Sequence, residues 1–157
     1  MKDIPKASVA VFVGSEFESI QGRGGNDGTP HRKTPWGEIA FQLGGAAGFK
    51  VVEEHENQMI APAGEVIRKF LPKDRPSLIL VDELMNYISR NRKSGLSTQL
   101  YNFIQNLSEE VRGNNKVVLV ASITASELEM TTDDQADYTR FKKMLDRLGK
   151  PVIMAME

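Results

Sequence analysis

The sequence contains no cysteine among its 157 residues. Disulfide scaffolds, cysteine-ligated zinc or iron–sulfur sites and thiol catalysis are therefore excluded. Only two histidines are present, His31 and His55, which is too few for a histidine-rich metal centre. No apolar run approaches the ~18 residues of a membrane span, and the polar start has no signal-peptide core. We therefore expect a cytoplasmic protein with no membrane partner.

The chain also has little net charge of either sign. Its 20 Lys and Arg residues face 21 Asp and Glu residues, for a net charge of −1. No bulk electrostatic field therefore favours nucleic acid or an anionic membrane as a partner. The length suits one domain of ordinary size with a real hydrophobic core, and 40% of the residues are hydrophobic.

Short apolar runs rich in β-branched residues are typical of strands buried on both faces of a parallel sheet. Four such runs are present, at residues 8–13, 77–81, 116–123 and 151–155, with a weaker candidate at 49–52. Helical periods lie between them. The first of these helices has Thr34 as N-cap and Pro35 in its first turn, and Gly44-Gly45 is expected to end it.

Strands that alternate with helices predict right-handed crossovers and a parallel sheet covered by helices on both faces. We therefore predict one α/β domain over residues 1–157, built as a three-layer sandwich. Most connections are short. The exception is a long, Gly-rich polar loop at residues 14–33.

The most informative stretch is a buried strand that ends in two adjacent acids, Asp82 and Glu83. The carboxyl ends of parallel strands form the ligand crevice of open α/β sheets. Asp82 could hold Mg²⁺ through the water shell of the ion, and Glu83 could orient or deprotonate an attacking water. This is the Walker B arrangement of P-loop ATPases. The alternative is that two acids merely solvate a strand end.

The next predicted strand carries polar residues near its carboxyl end, Ser122 and then Thr124. In P-loop ATPases with an additional strand, a polar residue at this position contacts the γ-phosphate or the attacking water. Ser122 and Thr124 are therefore sensor candidates. Local turn hydrogen bonds are the alternative interpretation.

A complete nucleotide site also needs a Gly-rich loop that ends in Gly-Lys-Ser/Thr, and none is present. The only Gly-Lys pair is Gly149-Lys150, and Pro151 follows it. The Gly-rich stretch at residues 22–28 lacks the lysine and misses the dinucleotide-binding spacing. The sequence thus has a Walker B motif without a Walker A motif.

Two basic stretches could contact a phosphate backbone. One is the loop at residues 89–95, with Arg90, Arg92 and Lys93, and the other is the helix that carries Arg140 and Arg147. A solvated surface is the alternative for both.

Several blocks of sequence occur together in a known family. They are TPWGEIA at 34–40, LVDELMNY at 80–87, VASI at 120–123, ASELE at 125–129, DQADY at 134–138 and RLG at 147–149. With these blocks the chain resembles an uncharacterised family of large bacterial and archaeal AAA-like ATPases. Their genes often lie beside DNA methyltransferase and helicase genes, which implies a role in DNA transactions or defence.

The resemblance implies roles for individual residues. Asp82 matches the acid on the magnesium side, Glu83 the catalytic acid and Ser122 the sensor, while Arg140 or Arg147 could be an arginine finger. The Walker A motif of the family lies upstream of the matched segment. We therefore expect a partial ATPase core that begins at the second strand of the usual 5-1-4-3-2 sheet.

The same resemblance implies ATP and Mg²⁺ as cofactors of the full-length parent, with neither bound tightly by this segment. The missing first strand would leave an edge of the sensor strand open. The rest of the parent is then the expected partner, and pairing with a second copy is another possibility. Two alternatives stay open: a non-catalytic interaction module that kept the fold, and a nucleic-acid-binding domain.

Overall fold

The computed structural model describes residues 6–123 and 130–150. In chain order the elements are β1 (Ser8–Val13), α1 (Pro35–Gln58), α2 (Gly64–Phe70), β2 (Ser77–Asp82), α3 (Leu84–Arg90), α4 (Leu96–Arg112), β3 (Val117–Ala121) and α5 (Thr132–Leu148). The predicted strand at residues 151–155 lies outside the described residues.

The three strands form one parallel sheet in the order β1-β2-β3. Ser8 lies opposite Ser77 on β2, and Ser77 in turn lies opposite Val117 on β3, so the strands start almost level. The first three predicted strands are therefore confirmed, with β3 somewhat shorter than expected. Because parallel strands need crossover connections, two helices lie between each pair of neighbouring strands.

The sheet is covered on one face. Right-handed crossovers that advance in one direction across a sheet all pass over the same face. Side chains on that face join the helices in a single core, namely Ala10, Phe12, Ile79, Val81 and Val117. On the opposite face the valines of the two outer strands are 41–56% exposed, namely Val9, Val11, Val118 and Val120. Within the described residues the expected three-layer sandwich is therefore a two-layer structure.

Helix α1 confirms one part of its prediction and contradicts another. Gly45, with φ 65° and ψ −151°, interrupts the helical geometry, so the end predicted at Gly44-Gly45 is confirmed as a kink between two helical halves. Residues 49–52, the weaker strand candidate, are helical. Periodicity alone cannot distinguish a short apolar strand from a buried helical segment, which explains this error.

The break at Gly45 turns α1 back on itself. The Thr34 hydroxyl donates to the Glu56 carboxylate over 3.2 Å. A straight helix of this length would separate those two residues by about 33 Å. The N-cap prediction is confirmed, because the Thr34 hydroxyl also accepts the Gly37 N–H at 3.0 Å. The two halves of α1 therefore lie side by side, with Glu56 beside the N-terminus of its own helix.

The one-sided sheet predicts unequal effects of the same substitution on its two faces. Val81 is 2% exposed and Val120 is 50% exposed. Val81→Thr buries a hydroxyl, so we expect it to lower the free energy of unfolding by about 1–3 kcal/mol. Val120→Thr is expected to stay within about 0.5 kcal/mol of wild type. Urea unfolding of both variants measures this, and equal losses would contradict an open face.

Candidate functional site

The carboxyl ends of the three strands meet at one edge of the sheet. The Gly14 N–H, directly after β1, donates to the Asp82 carbonyl at 2.8 Å. The Ser122 N–H, directly after β3, donates to the Val81 carbonyl, also at 2.8 Å. These bonds bring Ser15, the acidic pair and Ser122 to a common edge, as the sequence predicted for all of them but Ser15. Thr124, the second sensor candidate, lies outside the described residues.

Glu83 has an unusual backbone conformation. Its φ of 54° and ψ of 45° lie in the left-handed region, and its N–H donates to Asp82 Oδ1 at 2.8 Å. A residue other than glycine pays about 1–3 kcal/mol for such a conformation, and strain of this kind clusters at functional sites. Glu83 sits where β2 ends and α3 begins, so its side chain leaves the sheet at a sharp turn. Asp82 beside it is exposed to solvent.

The loop after β1 is fixed against this turn. A Cβ on Gly14 would overlap the Glu83 carbonyl, so only glycine fits there. The Ser15 hydroxyl donates to Glu83 Oε2. The Arg90 guanidinium, at the end of α3, donates to the Gly14 carbonyl and, at 3.3 Å, to the Phe17 carbonyl. Arg90, predicted as a nucleic-acid contact, therefore ties the β1 exit loop to α3.

Two of the other predicted cations, Arg92 and Arg140, also have intramolecular contacts. Arg92 pairs with Asp134 at 2.7 Å and with Asp137 at 2.8 Å. Hydrogen bonds to these carboxylates raise the pKa of Arg92, and the bond from Arg92 lowers the pKa of Asp134. Arg140 pairs with Asp137 at 3.3 Å and stacks 4.4 Å above the Tyr101 ring. Lys93 and Arg147, the remaining predicted contacts, are exposed and make no such ion pair within the described part of the chain.

A buried polar network surrounds the N-terminus of α1. Arg32 Nε and Glu38 Oε2 are 2.6 Å apart, with side chains 8% and 4% exposed. Arg23 and Gln42 also donate to this carboxylate, at 3.2 and 3.0 Å. Burial alone would raise the pKa of Glu38, but the bonds from Arg32 and Gln42 outweigh it and the pKa is lowered. Much of the 14–33 loop is thereby attached to α1.

Glu56 completes this network. Its Oε1 accepts the N–H groups of Lys33 and Thr34, at 2.8 and 3.2 Å. Burial raises the pKa of Glu56, and these N–H donors only partly oppose the shift. Gly37 is needed here because a Cβ would overlap Glu56 Oε1. Beyond the predicted N-cap, the TPWGE block thus packs against Glu56, a contact that sequence reasoning missed because Glu56 lies 22 positions after Thr34.

Metal binding at the sheet edge would depend on few protein ligands. No group of three or more His, Asp or Glu residues suited to a metal ion occurs within residues 6–123 and 130–150. Mg²⁺ usually keeps several waters and takes one or two carboxylates together with substrate phosphates. The exposed Asp82 carboxylate fits that mode of binding.

Among the helices of the described segments, none has the length and hydropathy of a membrane span.

Fold and site together define an α/β domain with an acidic, serine-lined edge at the carboxyl ends of a parallel sheet. The chain belongs to the family of DUF499 N-terminal domains, whose sequence profile matches residues 21–154. No curated protein and no solved structure matches the chain.

Proposed function

We propose that this domain supplies the Walker B and sensor strands of a P-loop-type ATPase. One observation carries the proposal: a parallel sheet in the order β1-β2-β3 places Asp82-Glu83 at the end of the central strand and Ser122 at the end of its neighbour. In the 5-1-4-3-2 sheet of such ATPases, strands 2, 3 and 4 are also adjacent and consecutive. β1, β2 and β3 correspond to them in order and direction.

The proposed chemistry divides the work between adjacent residues. Asp82 is exposed and would hold Mg²⁺ through a water ligand, as expected for an ion that also binds substrate phosphates. Glu83 would orient and deprotonate the attacking water. Ser122 would contact the γ-phosphate. The phosphates themselves need a Gly-rich loop and a lysine, which this sequence does not contain.

The missing loop would come from the upstream part of the parent protein, which we propose as the main partner. Within residues 6–123 and 130–150, β3 pairs with β2 alone, and a strand on its other side would satisfy the backbone groups at that edge. A crossover from that strand to β1 runs opposite to the others, so it passes over the other face. The valines on that face, such as Val11 and Val120, are apolar and exposed enough to accept a helix. A second copy paired along the β3 edge is the competing occupant.

The proposal predicts how ATP affinity depends on the upstream segment. The 157-residue chain is expected to bind ATP weakly or not at all. A chain extended upstream of Met1 is expected to bind it at micromolar to millimolar concentrations, a common range for enzyme substrates. Isothermal titration calorimetry with a non-hydrolysable ATP analogue and Mg²⁺ measures both affinities. Equal ATP affinity of the two chains would contradict the proposal that the phosphate-binding part of the site lies upstream.

The two alternatives predict different results. A non-catalytic interaction module would tolerate Asp82→Ala and Glu83→Ala without loss of function. A nucleic-acid-binding domain would show salt-dependent DNA binding with a slope that falls on removing Lys93 or Arg147. The intramolecular contacts of Arg90, Arg92 and Arg140 leave that second alternative with fewer candidate contacts.

A further inference from the structure

Ser15 belongs to none of the sequence blocks singled out above, yet its hydroxyl is bonded to the acid proposed as general base. The hydroxyl donates to Glu83 Oε2, across 68 positions of sequence. Ser15 itself is exposed, so water competes for both groups. A hydrogen bond between exposed side chains persists only where the backbone already holds the two residues together. The surroundings of Ser15 meet that condition.

The backbone of Ser15 is held close to Glu83 by its neighbour. Gly14 is buried, and its N–H donates to the Asp82 carbonyl at 2.8 Å. The backbones approach so closely that a Cβ on Gly14 would overlap the Glu83 carbonyl. The chain therefore passes Glu83 at a fixed distance directly before Ser15, which limits where the serine hydroxyl can lie.

The residues after Ser15 are anchored as well. Arg90 donates to the carbonyls of Gly14 and Phe17, on either side of Ser15. The Phe17 ring is buried, with its centroid 5.0 Å from that of Phe12. Since Arg90 is the last residue of α3 and Glu83 precedes the first, the serine and the acid are fixed to the same short helix.

Glu83 has few other restraints on its side chain. It has a left-handed backbone and makes no side-chain bond to the N-terminus of α3. A glutamate side chain loses about 1.5–2 kcal/mol of rotamer entropy when it is fixed, so an unrestrained one samples several rotamers. The Ser15 hydroxyl selects one of them. We infer that Ser15 is a positioning residue, which holds the Glu83 carboxylate in the orientation needed to deprotonate the attacking water.

The catalytic role of Ser15 rests on the proposed ATPase function, whereas its contact with the Glu83 side chain does not. The first experiment therefore uses the 157-residue chain alone. NMR couplings that report the Glu83 χ1 angle are measured in wild type, Ser15→Ala, Ser15→Thr and the control Ser89→Ala. We expect a single rotamer in wild type, Ser15→Thr and the control, and averaged couplings in Ser15→Ala. Unchanged couplings in Ser15→Ala would overturn the inference.

The second experiment measures ATP hydrolysis by the upstream-extended chain with the same variants. Ser15→Ala is expected to lower kcat roughly tenfold with little change in KM, because a misplaced base loses rate rather than affinity. Ser15→Thr should restore kcat, since it keeps the hydroxyl. An unchanged or raised kcat in Ser15→Ala would overturn the positioning role. If the wild-type extended chain hydrolyses no ATP, the proposed function fails and the catalytic role of Ser15 fails with it. The NMR couplings would still show whether the Ser15 hydroxyl restrains the Glu83 side chain.

Discussion

Glu38→Gln is expected to lower the free energy of unfolding at pH 7 by about 3 kcal/mol, because it leaves a buried guanidinium without its counter-ion. The Arg32 side chain is 8% exposed and has Glu38 as its carboxylate partner at 2.6 Å. Its remaining bonds go to neutral oxygens of Thr29 and Pro30. Urea unfolding followed by circular dichroism measures the loss.

The same pair predicts a pH dependence of stability. The pKa of Glu38 is lowered in the folded chain, so its contribution is full above the unfolded value near 4.5. That contribution is lost as the pH falls through the folded pKa. The difference between wild type and Glu38→Gln should therefore shrink when unfolding is measured near pH 3 instead of pH 7. The pKa of Glu56 is raised in the folded chain, so its contribution to stability is present at low pH and is lost as the pH rises. Because Glu56 is present in both proteins, this contribution does not affect the difference between them.

A matched control is available in the same helix. Glu53 pairs with Lys50 at 2.8 Å, and both side chains are well exposed. Pairs of this kind often contribute nothing measurable, so Glu53→Gln should leave the unfolding curve unchanged. A loss for Glu38→Gln no larger than that of the control, or a difference from wild type that is constant with pH, would contradict the buried ion pair.

Glu83→Gln is expected to lower kcat for ATP hydrolysis by the upstream-extended chain about a hundredfold or more, because an amide cannot accept the proton of the attacking water. ATP affinity should be nearly unchanged, since the phosphates are bound elsewhere. Steady-state kinetics with calorimetry separates the two effects. Glu16→Gln is the control, because this exposed acid lies at the same edge of the sheet, one residue beyond Ser15. Equal effects of Glu83→Gln and Glu16→Gln would contradict the assigned role.

The strands and the first helix N-terminus could be predicted from local sequence because their signals are local. β1 and β2 are uninterrupted apolar runs, and the Thr34-Pro35 pair is an N-cap followed by a first-turn proline. The course of α1 beyond Gly45 could not be predicted in the same way. The glycine pair predicts the break at Gly45 but not the helical half after it, because the contact that turns the chain back involves Glu56, 22 positions after Thr34.

The site was predictable to the extent that parallel strands determine it. Asp82, Glu83 and Ser122 lie at the carboxyl ends of two adjacent strands, so topology alone brings them to one edge. Ser15 belongs to no motif, and its contact with Glu83 joins distant parts of the chain. Arg90 and Arg92 looked like a basic patch because their neighbours in sequence are basic. Their partners, Gly14 and Asp134, are 76 and 42 positions away.

The layering of the sheet was mispredicted for a related reason. An uninterrupted apolar strand indicates burial on both faces, and β3 has such a sequence. In the described residues, Val118 and Val120 are about half exposed. The strand has the composition of a fully buried one, and this mismatch is what the proposed upstream strand and helix would resolve.

The measurement that tests the central claim most directly is ATP turnover by two proteins, the 157-residue chain and the same chain extended upstream of Met1. We predict Mg²⁺-dependent turnover by the extended chain alone, lost in its Glu83→Gln variant. Robust turnover by the 157-residue chain that Glu83→Gln abolishes would contradict the claim that the phosphate-binding part of the site lies upstream.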